Sequence, residues 1–323
     1  MENRGKAKAH ANIALIKYWG KRDEEVSLPM NSSLSLTLDC FYTETEVVFD
    51  KDIDKDYFYL DGSIQDEIET KKITNFLDLF RSEMNIEKGS IVKSVNHVPT
   101  AAGLASSSSG FAALAAATNV ASGLNLDSKE LSMYARRGSG SAARSIYGGF
   151  VEWQKGNSKD DSFVVPIDDA DWDVGMIIVI VNEQKKKLSS RKGMKRTVET
   201  SPFYKGWVES TEKDIKEIKV AIKNKNFEQM GSITERNGLK MHGTMLGANP
   251  PISYWEPDSI VVMDIVRSLR DEGIPCYFTM DAGPNVKILC KLSQTDIIKK
   301  RLEERFNDEQ IIVTGPGPGI VVD

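Results

Sequence analysis

The sequence predicts a globular protein of mixed strands and helices, organised as one large domain or two of ordinary size. Three observations carry that expectation. The chain has 323 residues, 40% of them hydrophobic and 28% charged, enough for a substantial core under a polar surface. Short segments alternate apolar and polar residues, as half-buried strands do. Longer segments repeat apolar residues three or four apart, as amphipathic helices do.

Composition also excludes. A net charge of −5 argues against general nucleic-acid binding, yet leaves room for a local basic pocket that takes an anionic small molecule. Cys40, Cys276 and Cys290 have no metal-ligand spacing, and an odd, sparse set points to reduced thiols in a cytosolic protein. The first residues lack an apolar signal region, and the longest apolar run, 176–181, is far too short to cross a bilayer, so no membrane partner is expected. No internal repeat or long linker is visible.

Taken in order, residues 7–17 form an apolar stretch that ends in Tyr18, Trp19, Gly20, Lys21 and Arg22. It suits a buried strand opening on a polar site, although lysines there could equally be solvated and His10 and Asn12 could be satisfied core polars. Residues 34–38 and 43–47 alternate and read as two strands; 57–60 followed by Asp61 and Gly62 read as a hairpin. Residues 65–84 read as a helix carrying Lys71 and Lys72, and 91–95 as a strand.

The stretch Pro-Thr-Ala-Ala-Gly-Leu-Ala-Ser-Ser-Ser-Ser-Gly (99–110) then runs into an Ala-rich helix. A helix start presents unpaired N–H groups and partial positive charge, which attract anions. A serine cap on a core helix and a phosphate cradle both account for it; four consecutive serines exceed what capping needs and favour phosphate. Asp127 and Glu130 form a capping box for a helix ending at Gly138. A second Gly/Ser cluster follows at 138–145 and ends near Arg144, either a flexible connection or an anion grip.

Residues 174–181 read as a fully apolar strand, and the basic segment 185–191 as the domain boundary or a mobile loop closing on an anion. Helices are expected over 209–224, 226–246 and from Asp258 to Gly273. Residues 277–290 read as strand, tight turn, strand, with Asp281 at the mouth of the turn, either a turn former or a carboxylate held on rigid strands. Residues 293–296 are expected to cap a helix reaching Phe306, and 315–319 to form a turn.

Four motifs, Ala-Asn-Ile-Ala-Leu-Ile-Lys-Tyr-Trp-Gly-Lys (11–21), Pro-Thr-Ala-Ala-Gly-Leu-Ala-Ser-Ser (99–107), Gly-Ser-Gly-Ser-Ala-Ala-Arg-Ser (138–145) and Met-Asp-Ala-Gly-Pro-Asn-Val-Lys (280–287), together resemble the diphosphomevalonate decarboxylase family of the GHMP small-molecule kinase superfamily. The resemblance covers the chain nearly end to end. It implies an α+β, GHMP-kinase-like fold: a ribosomal-protein-S5-like N-terminal domain over 1–183, a C-terminal domain of antiparallel sheet and helices over 184–323, and ligands between them. It implies a cytoplasmic homodimer that uses ATP with Mg²⁺ to decarboxylate (R)-5-diphosphomevalonate to isopentenyl diphosphate.

The roles carry over by position. Asp281 matches the catalytic aspartate and Lys17 a lysine beside it. Aspartates ordinarily titrate near ~3.9, so orientation and electrostatic support are as plausible a role as deprotonation. Tyr18, Trp19, Gly20 and Lys21, with Lys72, match the diphosphate side. Ser139, Gly140, Ser141, Ala142, Ala143 and Arg144 match the second ligand cluster, with Arg144 suited to the substrate carboxylate. Ser190 and Arg191 match a further substrate pair. Pro99, Ala102, Gly103, Leu104, Ala105, Ser106, Ser107 and Ser108 match the ATP-phosphate loop; the metal's protein ligands are not specified. Ala105 stands where superfamily kinases have Gly, the second cluster lacks the kinases' acidic residue, and Arg191 stands where eukaryotic relatives commonly have Thr.

Overall fold

The structure is a computed structural model and describes residues 3–84, 89–97, 106–182, 184 and 188–323. In chain order its first strands are β1 (Asn3–Ile16), β2 (Lys21–Asp23), β3 (Leu28–Pro29), β4 (Ser33–Asp50), β5 (Tyr57–Leu60) and β6 (Ser63–Ile64). Then come α1 (Glu67–Met84), β7 (Gly89–His97), α2 (Ser106–Ser122), α3 (Ser128–Gly138), a 3-10 helix (Gly140–Ile146), β8 (Phe150–Trp153), β9 (Val164–Asp168) and β10 (Gly175–Val179). The remainder is α4 (Ser190–Thr200), α5 (Tyr204–Lys223), α6 (Phe227–Leu246), α7 (Pro257–Asp271), β11 (Cys276–Met280), β12 (Val286–Cys290), α8 (Thr295–Leu302), β13 (Ile311–Thr314) and β14 (Val321–Val322). No helix among the described residues is long and apolar enough to cross a membrane.

The larger sheet runs β14-β1-β4-β7-β5-β6, with β8 and β9 continuing from β4. The two strands expected at 34–38 and 43–47 are one long strand. The register against β1 shifts between His10 and Asn12, where β4 jumps from Tyr42 to Thr37. That irregularity bends β4, exposes Asp39 and Cys40, and lets its halves pair with β8 and β7. Ala7 and Ala9 on β1 pack in the same core as Ala112 to Ala117 of α2, where small side chains let helix and sheet approach closely. The Asp127–Glu130 capping box is present at the start of α3.

The smaller sheet is antiparallel, in the order β11-β12-β10-β13. Its strand β10 reads as an unbroken apolar run because both its faces are covered. Ile177 and Val179 pack with Val262, Val266 and Ile298 from α7 and α8. Met176 and Ile178 face the other way, into a core shared with Ile215 and Ile218 of α5, Met230 of α6, and Ile13, Leu15 and Leu36 of the larger sheet. That second core joins the two sheets without a break.

Two expectations near the C-terminus are corrected. α8 ends at Leu302 rather than Phe306, and its start has no side-chain cap, because Ser293 donates instead to Asp173 at 2.6 Å. Residues 315–319 are an extended strap rather than a turn: Pro316 bridges Leu38, and Gly317 N donates to Thr37 O at 2.8 Å. The strap carries the chain back to the larger sheet, where Val322 pairs with Ala7.

Candidate active site

The site forms where the end of β1 meets the β11–β12 turn. Lys17, just past β1, is 1% exposed and donates through Nζ to Asp281 Oδ1 at 2.7 Å. Its backbone is fixed from two sides: its N–H donates to Asn237 Oδ1 at 2.9 Å, and its carbonyl accepts from Asn31 Nδ2 at 2.8 Å. Asn237 donates in turn to Asp214 Oδ2 at 2.8 Å, so α5 and α6 anchor the strand end. Burial lowers the Lys17 pKa, Asp281 opposes that shift, and the charges of Lys287 and Arg144 add to it.

The Asp281 carboxylate is partly open, with 39% of its side chain exposed. It lines a cleft of about 650 Å³ together with Lys17, Tyr18, Trp19, Lys21, Lys72, Ser107, Ser139, Gly140, Ser141, Arg144, Ser190 and Arg191. The sequence-predicted motifs, distant in the chain, therefore converge on one cavity. With Arg137, six cations line the cleft against the carboxylates of Glu25 and Asp281, so an acidic protein carries a basic cavity.

Arg144 is the deepest of these cations after Lys17. It is 2% exposed, and its hydrogen bonds go to neutral groups, Ser33 Oγ at 2.6 Å and Asn12 Oδ1 at 3.3 Å. Asn12 is thereby more than a satisfied core polar, since its amide also donates to Ser141 O at 2.9 Å and Ser145 Oγ at 2.8 Å and fixes the second cluster. Burial pulls the Arg144 pKa down to about 10, partly offset by Asp281, so the guanidinium stays charged at neutral pH. Among the described residues no carboxylate ion-pairs with it, and such a buried cation calls for an anion from outside.

Tyr18 adds a donor. Its hydroxyl is buried without a hydrogen-bond partner among the described residues, and burial, with Glu24 adding to it, raises its pKa, so it stays protonated. Gly140 lets the second cluster lie against this ring, where an added Cβ would come within 2.8 Å of Tyr18. That cluster is not a flexible connection but a buried 3-10 turn. Ser139 Oγ donates to Ser107 Oγ at 3.3 Å, which brings both Gly/Ser clusters together at the N-terminus of α2. Gly20 has φ +123° and a Cβ there would lie 2.1 Å from the Tyr204 hydroxyl, which donates to Trp19 O at 2.6 Å.

Not every expected residue lines the cleft. Ala142 and Ala143 turn their methyls into the core, and Ser108 is 1% exposed beneath the surface. Gly20 supports the cleft through backbone shape. Lys72 reaches the rim and pairs with Glu69 at 2.5 Å. Pro99, Ala102, Gly103, Leu104 and Ala105 lie outside the described residues, as does the side chain of Ser106. Lys185, Lys186 and Lys187 of the expected mobile loop also lie outside them; Ser189 caps α4 by accepting from Lys192 N. Sequence reasoning assigned no role to Lys287 or Arg137. The signal for Lys287 is a charged residue inside an apolar strand; for Arg137 it is a cation in the last helical turn before the second cluster.

An α+β fold with two main sheets, whose cleft gathers buried cations, two serine clusters and the Asp281 carboxylate, defines a GHMP-kinase-like, phosphate-handling protein. Residues 9–164 match the model of the diphosphomevalonate decarboxylase-like N-terminal domain, and 176–315 that of the mevalonate 5-diphosphate decarboxylase C-terminal domain. The human diphosphomevalonate decarboxylase is 38% identical over 302 residues, 87% of this chain and 75% of the relative. A mevalonate diphosphate decarboxylase structure from Enterococcus faecalis superposes with TM-score 0.95 at 54% identity over 100% of this chain and 99% of its own. One from Staphylococcus aureus superposes with TM-score 0.97 at 48% identity, over 100% of this chain and 98% of its own. A further structure, described as MDDEF in complex with MVAPP, AMPPCP and magnesium, superposes with TM-score 0.96 at 54% identity, over 100% of this chain and 99% of its own. The chain belongs to the diphosphomevalonate decarboxylase family.

Proposed function

We propose that this chain catalyses the ATP-dependent decarboxylation of (R)-5-diphosphomevalonate to isopentenyl diphosphate, with release of ADP, phosphate and CO2. The γ-phosphoryl group is transferred from ATP to the tertiary 3-hydroxyl oxygen, ADP leaves, and the hydroxyl proton passes to Asp281 or to solvent. The C–O bond then breaks with phosphate as leaving group. The bond to the carboxylate carbon breaks with it, and its electron pair becomes the alkene as CO2 departs. The observation that carries this reading is the Lys17–Asp281 pair with Arg144 beside it, at the floor of a basic cleft.

In this reading Asp281 faces the 3-hydroxyl, orienting it and supporting the positive charge that develops when phosphate leaves. Lys17 holds the carboxylate in place through its 2.7 Å ion pair. Arg144, helped by Ser139 and Ser141, grips the substrate carboxylate. Tyr18, Lys21, Lys72, Ser190 and Arg191 hold the diphosphate. The start of α2 with Ser107 takes the ATP phosphates, together with the segment from Pro99 to Ser106. Among the described residues no group of three or more His, Cys, Asp or Glu side chains could hold a metal ion. Mg²⁺ bound with ATP would be held mainly through phosphate oxygens and water and would neutralise phosphate charge. The reading includes a division at residue 183, a cytoplasmic location and a homodimer. Free thiols at Cys276 and Cys290, paired across β11 and β12, accord with a reducing compartment.

Incubation with (R)-5-diphosphomevalonate and ATP is expected to yield CO2 and ADP in equal amounts. ADP without CO2 would mean a kinase, and binding without turnover a non-catalytic relative. Asp281→Asn is expected to lower kcat ~10²-fold or more with KM little changed; wild-type turnover would remove Asp281 from the mechanism.

A further inference from the structure

Lys287 has no role assigned so far, yet it is 1% exposed at the second position of β12, between Val286 and Ile288. A lysine sealed inside a sheet is costly, and an apolar side chain of similar volume would pack there at no charge penalty. Packing therefore does not account for it. Its Nζ donates to Asn285 O at 3.1 Å and stands 3.6 Å from Asp281 Oδ2. Lys17 holds the other oxygen, Oδ1, at 2.7 Å. The carboxylate is thus flanked by two ammonium groups, one just past the end of β1 and one on β12, and Lys287 is the one that does not line the cleft.

We propose that Lys287 is a positioning residue for Asp281, holding its carboxylate from behind through Oδ2. The reason lies in what enters the cleft. On the reading above, on which this inference rests, the substrate brings a carboxylate and a diphosphate, and ATP brings its phosphates. All are anions arriving in front of another anion. Repulsion from that side favours protonation of Asp281 or rotation of its side chain away from the hydroxyl. Lys17 and Arg144 line the cleft, so incoming anions draw on their charge. Lys287, behind the carboxylate, keeps its charge for Asp281. The geometry that results is a carboxylate held at both oxygens while the site fills with negative charge.

The test is Lys287→Met, which keeps the volume and removes the charge, with Lys287→Gln as the second variant should Met fail to fold. The expected result is a fall in kcat of about 10- to 100-fold with KM for both substrates within about threefold, because the interaction serves the reacting geometry rather than binding. The same substitution made in Asp281→Asn should change kcat by no more than about twofold, because its effect runs through the lost carboxylate. Unchanged kcat in Lys287→Met, or the same factor lost with and without Asp281, would overturn the inference. Wild-type protein assayed alongside separates the two levels: failure of the wild type to release CO2 would sink the proposed reaction itself, whereas normal wild-type turnover with an unaffected variant sinks only the role of Lys287.

Discussion

Replacing Arg144 by Met separates function from stability. The guanidinium is 2% exposed and lacks an ion-pair partner among the described residues. Burying one charge costs several kcal/mol after relaxation, of which its hydrogen bonds to Ser33 and Asn12 return about 1.5–3 kcal/mol each. Met removes both sides of that balance and leaves Asn12 Oδ1 without its donor, a cost of about 1–3 kcal/mol. The net change in folding stability is therefore within about 2 kcal/mol of zero, a shift of a few degrees in melting temperature. Binding is different. Truncating a buried charge that meets a charged partner costs about 2–5 kcal/mol, or roughly 30- to 4,000-fold at about 1.4 kcal/mol per decade. Steady-state kinetics should show kcat/KM for diphosphomevalonate lowered over that range. Thermal melts should show a near-normal apo protein whose stabilisation by substrate is reduced. A variant that melts far below wild type yet keeps its response to substrate, or one with kcat/KM within threefold of wild type, would refute the assignment of Arg144 to the substrate.

Two further perturbations test the scaffold. Gly20→Ala should destabilise by ~2 kcal/mol or more in urea unfolding, because φ is +123° and the new Cβ would lie 2.1 Å from the Tyr204 hydroxyl; an unchanged unfolding midpoint would show that the turn relaxes freely. His242 is held at about 4, chiefly by burial and then by the Lys17 charge, so the unfolded chain takes up a proton below about 6.5 that the native state refuses until about 4. Stability should fall by up to about 3 kcal/mol as pH drops through that window, and His242→Gln should flatten the slope of unfolding midpoints between pH 6.5 and 4.5; an identical slope would assign the acid sensitivity elsewhere.

Most elements were legible because local rules and tertiary demands agree in them. The capping box at Asp127, the hairpin at Asp61 and Gly62, and the apolar periodicity of α5 each follow from a few neighbouring residues. The misreadings fall where a distant partner decides. Asp39 and Cys40 interrupt the alternation of β4 and look like a strand end, but Thr314 and Gly315 donate to Asp39 from the far end of the chain. Ser293 looks like a cap, and Asp173 takes its hydroxyl instead. In the site, motif residues could be named but not sorted. Ala142 and Arg144 are two positions apart on one turn, and only packing sends the first into the core and the second to the cleft. Lys287 escaped because its meaning depends on what stands across the β11–β12 turn.

The placement of the charges also decides what can move. Lys17 directly follows a strand of the larger sheet, and Asp281 follows a strand of the smaller one. Between them lies one continuous core, with Ile13, Leu15 and Leu36 against Ile178, Ile218 and Met230, all nearly or fully buried. Close packing makes such an interface resist gradual deformation. A hinge between the halves would have to break that core and pull the half-exposed Asp281 carboxylate away from the buried Lys17 ammonium, which is unfavourable. The Lys17–Asp281 geometry is therefore preset before substrate arrives. Adjustment is left to the rim, where Lys72 on α1 and Arg191 on α4 stand exposed on elements outside both sheets. Substrate charge can draw those cations inward at small cost while the reacting end stays fixed. On the proposed roles, rim substitutions should act mainly on KM and substitutions at Lys17, Asp281 or Lys287 mainly on kcat.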